Sequence, residues 1–235
     1  MTLLPTTGDA AVIQTPAGHF VLIDGGSDPA MLALQLGRRV PFWEHSLAAT
    51  VLTAPDGKRL PGQVAALARY APAIALAPTE LAHRGTAGEW RRLVAASGAR
   101  AATLRPGQRL TLDGATLTVL AAEPGEHGGA VLLLHYGRTR VVLHTGGPAG
   151  DAALLAVRGP VDLLVYPWQR DLDNAVVATL RPQAIAFSTA YEAPAPALLS
   201  YAERRRFSPR LYHPANDGAV ELLSDGRRAW IVTEE

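Results

Sequence analysis

Two hydrophobic periods alternate along this chain. Residues 10–14 and 19–23 are β-rich runs, and the Thr15-Pro16-Ala17-Gly18 turn between them predicts a hairpin. Residues 29–39 carry apolar side chains at helical spacing, Met31, Leu32, Leu34 and Leu36. An apolar run over 49–53 predicts a buried strand, 63–70 a helix, 74–77 a short strand, and 87–97 a helix closed by Gly98. Four runs, 108–112, 115–121, 130–136 and 139–144, alternate or stay apolar, with Gly114, Gly125 and Gly137 at their turns. Helices over 151–157, 172–180 and 195–206 then interleave with strands over 161–166 and 184–188. A final hairpin pairs 219–223 with 228–233 across Ser224-Asp225-Gly226.

Helices alternating with strands, with hairpins mixed in, imply two sheets packed face to face with helices outside, an α+β architecture. A chain of 235 residues that is 48% hydrophobic is expected to form one domain, 1–235, with internal halves of about 1–121 and 130–235. Residues 122–129, rich in Glu and Gly, read as a surface loop between those halves.

Composition removes several functions. The net charge of +1 gives no global field toward nucleic acid or anionic membrane, though local basic patches remain open. Without cysteine there is no disulfide, thiolate zinc site or cysteine nucleophile. Lys58 is the only lysine, so the basic side is almost all arginine. No apolar run approaches the about 20 residues that span a bilayer, and no basic-then-apolar signal pattern opens the chain. It reads as a soluble domain. None of the seven histidines, His19, His45, His83, His127, His135, His144 and His213, pairs with another at local metal-site spacing.

Residues 50–62, Thr-Val-Leu-Thr-Ala-Pro-Asp-Gly-Lys-Arg-Leu-Pro-Gly, run from an apolar strand through a Pro-containing loop into a helix. Gly8-Asp9-Ala10 with the hairpin ending in Asp24-Gly25-Gly26, the segment Leu36–Trp43 and the last hairpin stand around it in order. This set resembles the ComEC-type domain of DNA-uptake competence proteins, a branch of the metallo-β-lactamase superfamily. The resemblance spans nearly the whole chain and implies that superfamily's αββα four-layer sandwich. It also implies hydrolysis of a phosphodiester by water bridging two divalent ions, zinc or manganese, held by His and Asp.

The same alignment removes that chemistry. The family's first loop reads roughly Leu-Thr-His-Pro-Asp-x-Asp-His. Here Ala54, Lys58 and Arg59 stand at the first His, the second Asp and the last His, and only Asp56 is kept. In the second loop Thr145-Gly146 is kept, but Gly147 replaces the bridging Asp. In the third, Pro167 survives and Trp168 and Gln169 replace two imidazoles. His213-Pro214 resembles the family's late His-Pro, but one imidazole builds no site. The remnant is Asp24, Asp56, Lys58, Arg59, Gly147, Trp168 and Gln169, with no catalytic residue, metal or cofactor.

If the fold holds, Asp9, Asp24 and Asp56 lie near the old site and repel one another unless a cation sits among them. Lys58 and Arg59 are expected either to replace the metal charge and pin the loops or to point to solvent. Trp168 and Gln169 are expected to fill the space of the metals. His144, beside Asp151 or His213, forms either a new weak site or an ordinary hydrogen bond. Ser188-Thr189 has no base beside it and is no nucleophile.

The densest basic stretch, residues 203–212, carries Arg204, Arg205, Arg206 and Arg210 beside Tyr201, Phe207 and Tyr212. It reads either as a phosphate-contacting surface or as a solvated helix end complementing the helix dipole. The expected function is a degenerate, non-catalytic domain of a ComEC-type DNA-uptake protein. It would act as a structural or DNA-contacting module whose partners are single-stranded DNA and a membrane channel domain of the same or another chain. In that setting it would sit at the inner membrane. The alternatives are a divergent metal-dependent hydrolase or nuclease using Asp9, Asp24, Asp56, His144 or His213, and a protein-interaction module.

Overall fold

The computed structural model describes residues 1–79, 81–125 and 128–234. Among these residues the first sheet has eight strands. Their order is β15 (Ala229–Thr233), β14 (Val220–Ser224), β1 (Thr2–Leu3), β2 (Ala10–Gln14), β3 (Phe20–Asp24), β4 (Ser46–Val51), β5 (Ala71–Ala77) and β6 (Arg100–Thr103). The second has seven: β13 (Leu211–Tyr212), β12 (Ala184–Ser188), β11 (Leu163–Pro167), β10 (Thr139–His144), β9 (Gly129–Tyr136), β8 (Ala115–Glu123) and β7 (Arg109–Leu112). Helices α1 (Pro29–Gly37), α2 (Leu60–Leu67) and α3 (Gly85–Ala96) cover the first sheet, and α4 (Asp151–Leu155), α5 (Asn174–Leu180) and α6 (Tyr201–Arg204) the second. A last short helix, α7 (Pro214–Asp217), follows β13. This is the expected αββα sandwich.

The near-continuous apolar runs are explained by burial of both sheet faces. In β2 and β3 alternate residues separate cleanly. Ala11, Ile13, Val21 and Ile23 enter the core between the sheets with Val141, Leu163, Val165 and Ala186. Ala10, Val12, Phe20 and Leu22 turn the other way and pack with Leu32 and Leu36 of α1. The Asp28 carboxylate caps α1, accepting from the Ala30 and Met31 amides at 2.9 and 3.1 Å. A one-residue slip in β2 or β3 would exchange the two sets.

Strands β3, β4, β5 and β6 are parallel, as are β10, β11, β12 and β13. The loops after β3, β4, β10, β11 and β12 gather at one end of the sandwich. Backbone contact there is close. A Cβ on Gly62 would lie 1.8 Å from the Gly25 oxygen, so the start of α2 packs directly on the turn after β3.

Several expectations change. Neither sheet is one continuous stretch of chain, because β7 and β8 belong to the second sheet and β14 and β15 return to the first. Strands β1, β6 and β13 and helix α7 were not expected, being two to four residues long. The helix expected over 195–206 is only Tyr201–Arg204. Pro194 and Pro196 disfavour helix in the preceding chain, and Ser200 with Glu203 forms a capping box that starts the helix late. The loop expected over 122–129 is shorter, with β8 reaching Glu123 and β9 starting at Gly129. Residues 126 and 127, and with them His127, lie outside the described residues.

Candidate functional site

Three carboxylates converge where the loops gather. Asp9 precedes β2, Asp24 ends β3, and Asp56 lies between β4 and α2. Asp24 takes a left-handed backbone, φ 54°, unusual for a residue with a side chain. Its carboxylate accepts from the Thr53 amide at 2.7 Å and the Thr53 hydroxyl at 2.6 Å. Asp9 Oδ1 accepts from the amides of Thr189 and Ala190 at 2.8 and 3.0 Å, joining the first sheet to the loop after β12. Asp56 Oδ1 accepts from the Lys58 amide at 2.8 Å.

Arg59 stands among these carboxylates. It is the residue before α2, and its side chain is 1% exposed. Its guanidinium pairs with Asp56, with Asp9 Oδ2 at 3.3 Å, and with Asp24 Oδ2 at 3.7 Å, and it donates to the Thr145 carbonyl on the loop after β10. One side chain thus ties four segments of both sheets together. Burial works against its charge, yet the pull of Asp9, Asp24 and Asp56 raises its pKa above the ordinary arginine value. Asp24 is pushed up to about 7 by burial, with Arg59 and Thr53 opposing. Burial also raises Asp56, again against Arg59. Below the cluster lies a cavity of about 30 Å³ lined by Asp9, Asp24, Thr145 and Ser188 among others.

Lys58 goes elsewhere. Its ammonium meets Glu192 Oε1 at 2.5 Å and is 36% exposed. Neither alternative, both cations in the carboxylate cluster or both in solvent, holds for the pair: Arg59 turns inward and Lys58 pairs with Glu192. What remains of the entrance is a pocket of about 230 Å³ lined by Asp56, Gly57, Lys58, Arg59, Ala190, Tyr191 and Glu192.

A second charged group lies under the loop after β10. His144 is fully buried, accepts at Nδ1 from the Gly146 amide at 3.2 Å, and lies 3.0 Å from Asp151 Oδ1 through Nε2. Arg170 Nη1 lies 3.0 Å from the same Nε2, and burial lowers the His144 pKa. Arg170 pairs with Asp151 and donates to the Gly146 and Gly147 carbonyls at 3.2 and 3.0 Å. His144 therefore holds an ordinary hydrogen bond. His213 lies apart from it, against the rings of Trp168 and Phe187, and caps α7.

At the other aligned positions the space is taken. A Cβ on Gly147 would stand 3.1 Å from both Glu123 Oε2 and Tyr191 Oη. Trp168 packs edge-on against Phe187 at 5.0 Å, and Gln169 Oε1 accepts from the Ala193 amide at 3.0 Å. Arg170, Tyr191 and Glu123 were missed from sequence. Arg170 was visible only as a neighbour of Trp168 and Gln169, and nothing local marked the other two.

The donors do not fit a pair of divalent ions. No imidazole faces the three carboxylates, a guanidinium engages all of them, and position 147 offers no oxygen from its side chain. Among the described residues no group of three or more His, Asp or Glu could hold a metal ion.

The basic stretch is corrected in one member. Arg204 is 1% exposed, and its guanidinium donates to the carbonyls of Leu199, Arg170 and Trp168 at 3.1, 2.9 and 2.9 Å while lying 4.4 Å over the Trp168 ring. It has nothing to offer a phosphate. Arg205, Arg206 and Arg210 are exposed. Among the described residues no helix is long and apolar enough to cross a membrane.

No family model and no curated protein matches this sequence. Solved structures do. YhfI of Bacillus subtilis, a metallo-β-lactamase fold protein, is 12% identical over 97% of this chain and 98% of its own, with a TM-score of 0.59. Zinc-bound PqqB of Methylobacterium extorquens is 12% identical over 88% and 85%, with a TM-score of 0.61. A diphosphatase of the PhnP family is 17% identical over 87% and 80%, with a TM-score of 0.53. At these identities the likeness is one of fold, and with the two helix-flanked sheets it gives the chain its place: a protein of the metallo-β-lactamase fold.

Proposed function

We propose that this chain is a non-hydrolytic ComEC-type module in which an arginine does the structural work of the metals. The observation that carries the reading is Arg59 buried among Asp9, Asp24 and Asp56. A guanidinium supplies fixed charge and a planar set of donors, enough to hold carboxylates together. It has no open coordination position and cannot generate a bound hydroxide, so the cluster has structure without a nucleophile. The competence setting is supported by the opening hairpin, the kept Thr145-Gly146 and the late His213-Pro214. A DNA-contacting role is supported by exposed Arg205, Arg206 and Arg210.

The first test is elemental mass spectrometry of the purified protein after incubation with zinc and manganese and desalting. Metal far below stoichiometric is expected. One or two tightly held ions per chain would overturn the reading and make the protein a candidate phosphodiesterase. Fluorescence anisotropy with a single-stranded oligonucleotide tests the second part. Binding should weaken with salt, and neutralising Arg205, Arg206 or Arg210 should each make the logarithmic salt slope shallower by about 0.7. Binding indifferent to these residues would remove the DNA-binding role and leave the structural one.

A further inference from the structure

The free edge of the first sheet points to a partner, independently of the proposed function. Among the described residues strand β15 ends the sheet, with neighbour β14 on one side only. The Glu234 amide donates to the Ala219 carbonyl at 3.1 Å and the Arg228 carbonyl accepts from the Asp225 amide at 3.3 Å, so these residues face inward. The Leu222 amide donates to the Met1 carbonyl at 2.7 Å, away from its β15 counterpart Ile231. Antiparallel alternation therefore turns the backbone groups of Ala229, Ile231 and Thr233 to the open edge.

That edge lacks the usual protections. Residues 229–233, Ala-Trp-Ile-Val-Thr, contain no charge, proline or glycine. Its outer face also exposes Trp230 at 48% and Val232 at 49%, beside Leu223 of β14 at 46%.

We propose that β15 pairs antiparallel with β15 of a second copy of this chain about a dyad at Ile231, continuing the first sheet across the interface. The sequence around Ile231 is complementary to its own reverse. In this register Arg228 faces Glu234 of the partner subunit, and Trp230 faces Val232 of the partner subunit, each pair occurring twice. Both pairs lie on the exposed outer face. An opposite-charge pair and an aromatic–β-branched pair are the cross-strand neighbours that stabilise antiparallel sheets. Every edge-facing backbone group of Ala229, Ile231 and Thr233 finds a partner, and the contact is isologous and closed. A shift by one residue would set the edge-facing backbone groups against residues already bonded to β14, and a shift by two would give up the charge pairing, so the register is specified. Within its own chain Glu234 also meets Arg39 at 2.5 Å and lies 3.9 Å from Arg38, so the cross-strand pair would extend an existing ionic cluster.

Sedimentation velocity of the full chain at low ionic strength, over about 1 to 100 μM, should show a monomer–dimer equilibrium. Arg228→Glu should weaken self-association by about tenfold, since two attractions become two repulsions. Glu234→Arg should do the same. Mixing the two variants is the decisive arm, because a heterodimer restores both opposite-charge pairs. Recovery of dimer in the mixture, with each variant alone monomeric, supports the interface and shows that both variants are folded. A wild-type chain that stays monomeric throughout overturns it. So does a dimer indifferent to Arg228→Glu, or a mixture that does not recover.

Discussion

Replacing Arg59 with methionine keeps most of the side-chain volume and removes the one charge that faces Asp9, Asp24 and Asp56. At 3.3 Å from Asp9 and 3.7 Å from Asp24, each attraction is worth about 5 kcal/mol gross at an effective dielectric constant of about 20. Desolvation of the guanidinium offsets much of this, and breaking a buried pair by removing one partner costs about 3–5 kcal/mol net. The loss should depend on pH. Asp24 already titrates at about 7, above its unfolded value, so the wild-type protein loses stability as pH rises from about 4 to 7. Without Arg59 the Asp24 pKa moves higher still, so the destabilisation grows as pH rises above about 7. Urea unfolding of both proteins at pH 5, 6.5 and 8 measures this directly. A difference below about 1 kcal/mol at pH 8, or one equal at all three values, would refute the account of Arg59 as the cation of the cluster.

Asp24→Asn should flatten the fall in wild-type stability between pH 4 and 7, where one group contributes at most about 1.4 kcal/mol per pH unit; urea midpoints across that window give the slope. Arg204→Ala should cost about 3 kcal/mol or more, since it orphans three carbonyls and uncovers Trp168, while Arg206→Ala should stay within about 0.5 kcal/mol; thermal melts of both separate a buried brace from a surface charge. Gly62→Ala should cost about 3 kcal/mol or more in urea unfolding, because its Cβ would lie 1.8 Å from the Gly25 oxygen and neither backbone can yield cheaply. A neutral Gly62→Ala would show that α2 does not pack on the β3 turn as described.

The alternating and continuous apolar runs determined the two sheets and the longer helices, because burial of one face or both writes a period into the sequence that needs no distant partner. Thr139–His144 and Ala184–Ser188 fell at their expected bounds. Thr2–Leu3 and Leu211–Tyr212 were invisible, since two residues carry no period and exist only because a neighbouring strand offers hydrogen bonds. The return of β14 and β15 to the first sheet was equally hidden, being a pairing of residues more than two hundred positions apart. At the site, the sequence alone determined that Ala54, Lys58, Arg59, Gly147, Trp168 and Gln169 bring no imidazole or carboxylate, because that is a matter of residue type. What stands among the three carboxylates was decided only by tertiary structure. Lys58 and Arg59 are adjacent and alike in charge, yet one meets Glu192 at the surface and the other is buried. Arg204 and Arg205 divide in the same way. A charged side chain goes inside only where enough acceptors converge to replace its water, and those acceptors come from segments that folding alone brings together.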